Sequence, residues 1–503
     1  MFFARLRSQN QTLIVENPVA TGDSFFQRYV PLIVWIIVLS TLFLIPLKIL
    51  SYGFVPGGDA RRHIAKAFTD KLDSQIVVLR PGFTMDHNPG WGWVLRRVEK
   101  ATGWNTGQIT VFAVITLLLS IFYSALPWLR RPEAWLAALL AELVALPYLM
   151  DRLVQCRPLL IPEGILIALL FVWSRKDSGN PSWQKILLTT AGFCLATWID
   201  GAWFLWGFLF AAFFLAREWR KLLWLLGCWV VGTTVAASLT GNPIQFLSQT
   251  IRLAATVASE HVSQWMLVGE MTSSHGEFET LVLLAVAFLW RRQQGRTTSA
   301  LLDTPVFWLI VICWILGLRA DRCWADWGMP AVLVWLTLQF SDAFTGLCGA
   351  TSPKRLLLCA LIALPLFLQS TNDLDRRYSS SAGEQFVDAH DPALQGWLPG
   401  KGGIFYCAQM DFYYDTFYEN PTADWRYILG YEPAIMPKAD LEILRSIQLS
   451  HGSLETYEPW VQKMRPIDRL VIYSPSRPDL PQLQWHHAVG DIWIGRLPGK
   501  APR

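Results

Sequence analysis

The sequence predicts a polytopic α-helical membrane protein of about eleven spans, followed by a small extramembrane α/β or α+β domain. Three observations carry that prediction. Of 503 residues, 52% are hydrophobic and only 16% charged, well below the quarter or so usual in soluble chains. Apolar runs of near-membrane length recur from residue 29 to residue 370. Beyond that point the chain turns polar, with Pro and Gly punctuation and short β-rich runs such as "GGIFYC" and "RLVIYS".

The runs are Tyr29 to Leu50, Ile109 to Leu129, Glu133 to Met150, Pro158 to Trp173, Ile186 to Ile199 and Ala202 to Ala216. Leu222 to Leu239, Thr280 to Trp290, Pro305 to Leu318, Met329 to Phe340 and Leu356 to Ser370 follow. With a cytoplasmic N-terminus, the basic connections at Arg130/Arg131, Arg175/Lys176/Lys185, Arg217/Arg220/Lys221, Arg291/Arg292/Arg296 and Lys354/Arg355 all fall inside, as the positive-inside rule requires. That alternation depends on breaking the stretch from Ile186 to Ala216 at Asp200-Gly201, because one long helix there would reverse every later loop. The division that results is a membrane domain, 1–370, with external loops at 51–108 and 240–279, and an external domain, 371–503.

Composition also excludes some classes. A net charge of +4 spread along the chain leaves no electrostatic footprint for nucleic acid. Seven of the eight cysteines lie in or beside apolar runs, so neither a disulfide framework nor a zinc spacing is visible. About 28 mixed residues precede the first run, which therefore reads as a retained anchor and not a cleaved signal. The 26 tryptophans suit the water–lipid boundary or an aromatic binding cleft equally well.

The candidate chemistry gathers at the external level. In "PGGDARRHIAKAF" two glycines permit a tight turn, after which Asp59, Arg61, Arg62 and His63 open a helix. The carboxylate could bind a metal or accept a proton, and the basic residues could hold a phosphate; alternatively, Asp59 simply caps a surface helix. Asp86 and His87 in "TMDHNPGWGW" could form an acid/base pair or part of a metal site, or stabilise a turn. Asp151, Arg152 and Arg157 stand at the membrane surface before Glu163, and Asp200 interrupts an apolar stretch. Arg319, Asp321, Arg322 and Asp326 cluster in "GLRADRCWADWG", where a structural ion-pair network is the competing reading. Glu260, His261, Glu270 and His275 lie on the loop after Thr240, which could form a lid.

This layout resembles the GT-C superfamily, membrane glycosyltransferases that take a sugar from a polyprenyl-phosphate or polyprenyl-diphosphate carrier. Asp59 in "GGDARRH" looks like that family's first catalytic motif, and Asp151 sits where a second acidic motif would be. "TVASEHVSQW" is similar to the external Ser-Glu-His segment of oligosaccharyltransferases, which implies a metal or acceptor contact for Glu260. "WADWG" resembles their acceptor-recognition pentapeptide, although here it lies between spans. On this reading Asp59 and Asp86 are the candidate catalytic carboxylates, and Arg61, Arg62, His63, His87, Asp151, Arg152, Arg157, Asp200, Glu260, His261, Arg319, Asp321 and Arg322 the candidate substrate or phosphate contacts. A divalent cation, Mg or Mn, would sit on Asp59, Asp151 and Glu260, although the first loop has no acidic-x-acidic pair. The expected partners are a lipid-linked sugar donor, a glycan, lipid or protein acceptor, and membrane lipids. With one sequon, at Asn10, a bacterial inner membrane with a periplasmic tail is the expected setting. A transporter or flippase, or a noncatalytic assembly subunit, is the alternative.

Overall fold

The computed structural model describes residues 25–84, 86–175, 179–259, 273 and 278–499. Each of the eleven apolar runs lies on a helix. These are α1 (Phe25–Leu50), α5 (Thr106–Phe122), α6 (Glu133–Ala145), α8 (Leu160–Trp173), α9 (Trp183–Ile199), α10 (Gly207–Leu215), α11 (Trp219–Leu239), α13 (Phe278–Gln293), α15 (Pro305–Gly317), α17 (Met329–Leu347) and α18 (Pro353–Thr371). Between them lie α2 (Asp59–Ala67), α3 (Asp73–Ile76), α4 (Pro89–Thr102), α7 (Leu149–Val154), α12 (Pro243–Ser259), α14 (Thr298–Leu302) and α16 (Asp321–Cys323). Four stretches, Arg28–Leu50, Thr106–Trp128, Trp219–Leu239 and Pro353–Thr371, are long and apolar enough to cross a membrane. Leu160–Trp173, Trp203–Leu215 and Pro305–Gly317 are shorter apolar helices.

Why such a chain is an integral membrane protein is visible on α1. Val30, Val34, Val38, Leu42, Ile45 and Ile49 recur at helical spacing and are fully buried, while Leu32, Ile36, Leu39 and Phe43 on the other side are exposed. An apolar residue on both faces suits lipid outside and protein inside, whereas in water the outer stripe would be an aggregation surface. Leu357, Leu361, Leu364 and Leu368 form the same exposed stripe on α18, which packs on α1. At the start of α6, the fully buried Glu133 is held by Arg355 of α18 at 2.7 Å and Arg131 at 3.3 Å, tying the two helices together. The stretch from Ile186 to Ala216 does break at Asp200-Gly201: α9 ends at Ile199, a short turn covers Trp203–Trp206, and α10 begins at Gly207.

The tail holds a five-stranded sheet of β1 (Ile404–Cys407), β2 (Arg426–Tyr427), β3 (Arg469–Tyr473), β4 (Gln484–Val489) and β5 (Ile492–Arg496), in the order β2-β1-β3-β5-β4. β1 runs parallel to β2 and β3, and β5 pairs antiparallel with β3 and β4. Three helices, α19 (Met410–Glu419), α20 (Lys438–Leu449) and α21 (Glu458–Lys463), accompany it. Both β-rich runs singled out in the sequence fall on strands, β1 and β3.

Loop and tail are built into each other. Val77 pairs in parallel with Tyr427 of β2, the Val78 N–H donates to the Tyr427 carbonyl at 2.9 Å, and the Arg80 N–H donates to Ile435 at 2.7 Å. Ala65, Ile76 and Val77 of the loop share a core with Phe405, Tyr413 and Val471 of the tail. Helix α19 packs along α2, which brings a tail helix directly onto the segment where the sequence concentrates its charges.

Candidate functional site

Gly58, at a φ of 59°, turns the chain into α2, and Asp59 is the helix's first residue. Its carboxylate does not cap the helix. One oxygen accepts from Arg62 Nε at 2.7 Å and the other meets His63 Nε2 at 3.1 Å, partners placed by i,i+3 and i,i+4 spacing. Arg62 and His63 are fully buried. The guanidinium of Arg62 continues to Asp86 at 3.7 Å and Asn88 Oδ1 at 3.4 Å, and lies 4.2 Å from the ring centre of Tyr431 in the tail. Asp86 is also held by Lys66 at 2.6 Å, and Lys66 reaches Asp73 at 2.6 Å. Charge therefore alternates along Asp59, Arg62, Asp86, Lys66 and Asp73.

This alternation fixes the protonation states. Burial pushes the carboxyl of Asp59 up, but Arg62 and then His63 outweigh it and leave the group well below the ordinary carboxylate range. Asp86 behaves likewise, with Lys66 as its stronger partner and Arg62 next. Burial and the adjacent Arg62 depress His87 to about 4, so it is neutral at pH 7 and cannot act there as an acid beside Asp86.

The Asp86–Pro89 turn is seated on the end of α9. The Asn88 side chain donates to the Ile199 carbonyl at 3.2 Å, and the Gly201 N–H donates to the His87 carbonyl at 2.8 Å. Glycine is required on both sides: a Cβ on Gly201 would meet His87 O at 2.7 Å, and one on Gly90 would meet Trp198 O at 2.5 Å. Asp200 accepts from the Ala202 N–H at 3.0 Å, so this buried carboxylate shapes the break that receives the turn.

A second group faces the first. Asp326, buried in the π turn Trp324–Gly328, is paired with Arg152 and, at 2.9 Å, with Arg322. The resembling pentapeptide "WADWG" is thus a buried helix junction between α16 and α17. Arg157, half-buried before α8, acts electrostatically on Asp59 and on Tyr414 of α19. Arg322 acts on Glu432, whose carboxyl burial pushes upward. Burial likewise raises Tyr414 and Tyr431, so both phenols stay protonated as donors. A cleft runs between Asp86, His87, Tyr431 and Ile435 on one side and Phe246, Gln249 and Thr250 of α12 on the other.

Asp59, Arg62, His63, Asp86 and His87 are thus brought together, with Asp200 behind the turn and Arg157 within electrostatic reach. Others are not where the sequence suggested. Arg61 points away from Arg62 into the tail, where it pairs with Glu384 at 2.5 Å and with Asp415, and its Nε donates to Pro56 O at 3.0 Å. Arg152 is committed to Asp326, and Asp151 pairs with Arg377 of the tail at 2.5 Å. Arg319 is exposed and Asp321 half-buried on the neighbouring turn. Glu260, His261, Glu270 and His275 lie outside the described residues.

The described residues show no metal set. Among the described residues no three His, Cys, Asp or Glu side chains gather as a cation would need, and Asp59 and Asp151 each face a guanidinium instead. Of the expected set only Asp59 and Asp151 are described, and each is committed to an arginine; Glu260 lies outside the described residues.

Sequence reading missed Lys66, Asp73, Asn88, Tyr414, Tyr431 and Glu432. Lys66 follows Arg62 and His63 at helical spacing on α2 and could have been found that way. The aromatic run "FYYDTFYE" marked a buried tail helix, but nothing local says which surface covers it.

No protein-family model and no curated sequence matches the chain. Its structure does find likenesses. ArnT from Cupriavidus metallidurans, crystallised in the apo state, superposes with a TM-score of 0.54 at 16% identity, over 92% of this chain and 97% of that one. The same protein bound to undecaprenyl phosphate gives 0.53 at 14% identity, with the same coverage of both chains. The chain has the same overall fold as ArnT. Asp59 and Arg62 lie in the loop after the first apolar helix, and the tail packs over them through α19 and Tyr431.

Proposed function

We propose that this chain is a membrane glycosyltransferase, moving a sugar from a polyprenyl phosphate or diphosphate to a glycan, lipid or protein acceptor. The work would be done at the external face, the periplasmic side of a bacterial inner membrane. One observation supports this above the others: a buried Arg62 held between Asp59 and Asp86 in the first loop of a GT-C fold. The likeness bound to undecaprenyl phosphate supplies the carrier class.

In the reaction, an acceptor oxygen attacks the anomeric carbon, the bond from that carbon to the phosphate oxygen breaks, and its electron pair stays on the phosphate. Negative charge grows on that oxygen, where preorganised cations act most strongly. Arg62, Arg157 and Arg322 are the cations assigned to it. Asp59 receives the acceptor's proton. A carboxylate held this low is a weak base at rest, but as Arg62 turns toward the leaving phosphate, Asp59 loses part of its counter-charge and becomes more basic. Asp86, through Lys66 and Arg62, keeps the guanidinium in register.

The test uses membranes carrying the full chain and a panel of labelled mono- and diphosphate-linked polyprenyl sugars. Asp59→Asn should lower transfer by roughly a hundredfold or more, the scale of a lost general base, while expression and binding of undecaprenyl phosphate persist. Transfer by this variant at the wild-type rate would remove Asp59 from the chemistry.

A further inference from the structure

The carboxylates around the site divide into two kinds. Asp59, Asp86 and Asp326 each carry a cation at ion-pair distance, and such a group cannot take up a new partner without releasing the old one. Glu432 differs. It follows Tyr431, whose ring covers Arg62, and it starts the Pro433–Ile435 turn. Its one hydrogen bond among the described residues is a long one, from the Ala434 N–H to Oε1 at 3.4 Å, which leaves Oε2 open in a half-buried position.

The turn that carries Glu432 is firmly placed. Arg80 of the first loop binds it twice, N–H to Ile435 O at 2.7 Å and Nε to Met436 O at 3.1 Å. Helix α12 packs against its outer side. Tyr414 donates to the Tyr431 carbonyl at 3.4 Å and lies within electrostatic reach of Asp59, Arg157 and Glu432, so it stands between the carboxylate of the loop and that of the tail. A carboxylate with an open oxygen, fixed on a rigid turn across from the proposed base, is what holding a substrate group requires.

We infer that Glu432 is a positioning residue that the tail contributes to the site, and that the group it holds is a saccharide hydroxyl of the acceptor. A carboxylate oxygen only accepts, so its partner must be a donor. Arg322 in the same corner repels an ammonium, which leaves a neutral hydroxyl as the donor that fits. The half-buried Tyr431 adds a phenol ring next to it in the chain, suited to the apolar face of a sugar ring. Glu432 takes no proton; it fixes the acceptor so that its attacking oxygen points at Asp59.

This inference rests on the glycosyl-transfer reading. Its test compares Glu432→Ala and Glu432→Gln in the full-length protein, using the fraction that accepts label from the donor panel and, separately, undecaprenyl phosphate as a binding probe. Loss of the hydrogen bond in Glu432→Ala should raise KM for the acceptor roughly tenfold, with a much smaller fall in kcat. Glu432→Gln keeps an amide oxygen and should stay within about threefold of wild type, because a neutral hydroxyl loses little when a charge is removed. Both variants should bind undecaprenyl phosphate normally, which shows that the fold and the donor side are intact. An unchanged KM in Glu432→Ala, a Gln variant as impaired as the Ala variant, or loss of undecaprenyl phosphate binding would each overturn the inference. A wild-type chain that neither binds undecaprenyl phosphate nor transfers from any donor refutes glycosyl transfer itself.

Discussion

Replacing Arg61 with Met is expected to loosen the tail and leave phosphate affinity intact, while the same change at its neighbour Arg62 does the reverse. Arg61 is only 5% exposed at its side chain, against 25% for Asp415 and 41% for Glu384. It also lies 4.8 Å from the ring centre of Phe386. Truncating one partner of a buried pair costs about 3–5 kcal/mol, while an exposed pair contributes about 0.2–1. The Glu384 pair belongs with the exposed class and the Asp415 pair between the two, so the expected loss is about 2–4 kcal/mol. Thermal unfolding and limited proteolysis in detergent would show it as a lower transition and earlier cleavage within α19. Undecaprenyl phosphate titrations then separate the two arginines: Arg61→Met should bind as wild type does, and Arg62→Met should bind at least tenfold more weakly, the scale of a lost charge-assisted hydrogen bond. Equal weakening by both, with the tail still docked, would refute the assignment of Arg61 as a strut.

Two further outcomes follow from the turn on α9. His87 has a folded value of about 4 against an ordinary 6.5, so between those values the unfolded chain binds a proton that the folded one refuses. Stability is therefore complete above pH 6.5 and falls by roughly 3 kcal/mol as pH drops to 4, from about 1.4 kcal/mol per pKa unit. His87→Phe should flatten that acid limb in a series of thermal unfolding curves, and an unaltered pH dependence would exclude His87 as its source. Gly90→Ala puts a Cβ 2.5 Å from the Trp198 carbonyl, a backbone group that cannot swing aside, so a loss of about 1–3 kcal/mol and reduced transfer are expected. Wild-type stability in that variant would show that the seat of the turn is softer than its packing implies.

Much of the membrane part was legible because apolar run length is a local property. The break at Asp200-Gly201 was readable for the same reason: a charge and a glycine interrupt a run that lipid would otherwise accept. The first-loop site was half legible. Asp59, Arg62 and His63 announce themselves at helical spacing, and that spacing sends the adjacent arginines of "DARRH" to different faces, but it does not say which face meets the tail. Only the docking of α19 decides that Arg61 goes to Asp415 and Arg62 to Asp86. Glu432 was invisible for a related reason, since its significance comes from Arg80, Tyr414 and Arg322, which are remote in sequence.

On the proposed reading, which residues would receive a phosphate follows from the charge arithmetic of the loop. Along Asp59, Arg62, Asp86, Lys66 and Asp73, three carboxylates face two cations, so the row by itself repels an anion. In the proposed reaction the phosphate approaches on the side of Asp59 and Glu432, where Arg157 and Arg322, the latter shared with Asp326, add positive charge. Arg62 then has two possible partners, the resident carboxylates and the arriving phosphate, and choosing the second frees Asp59. In the proposed reaction, a site built this way keeps its base neutralised until donor is bound. The compensated charges that make the empty loop stable are thus the same ones that make proton transfer conditional on the donor.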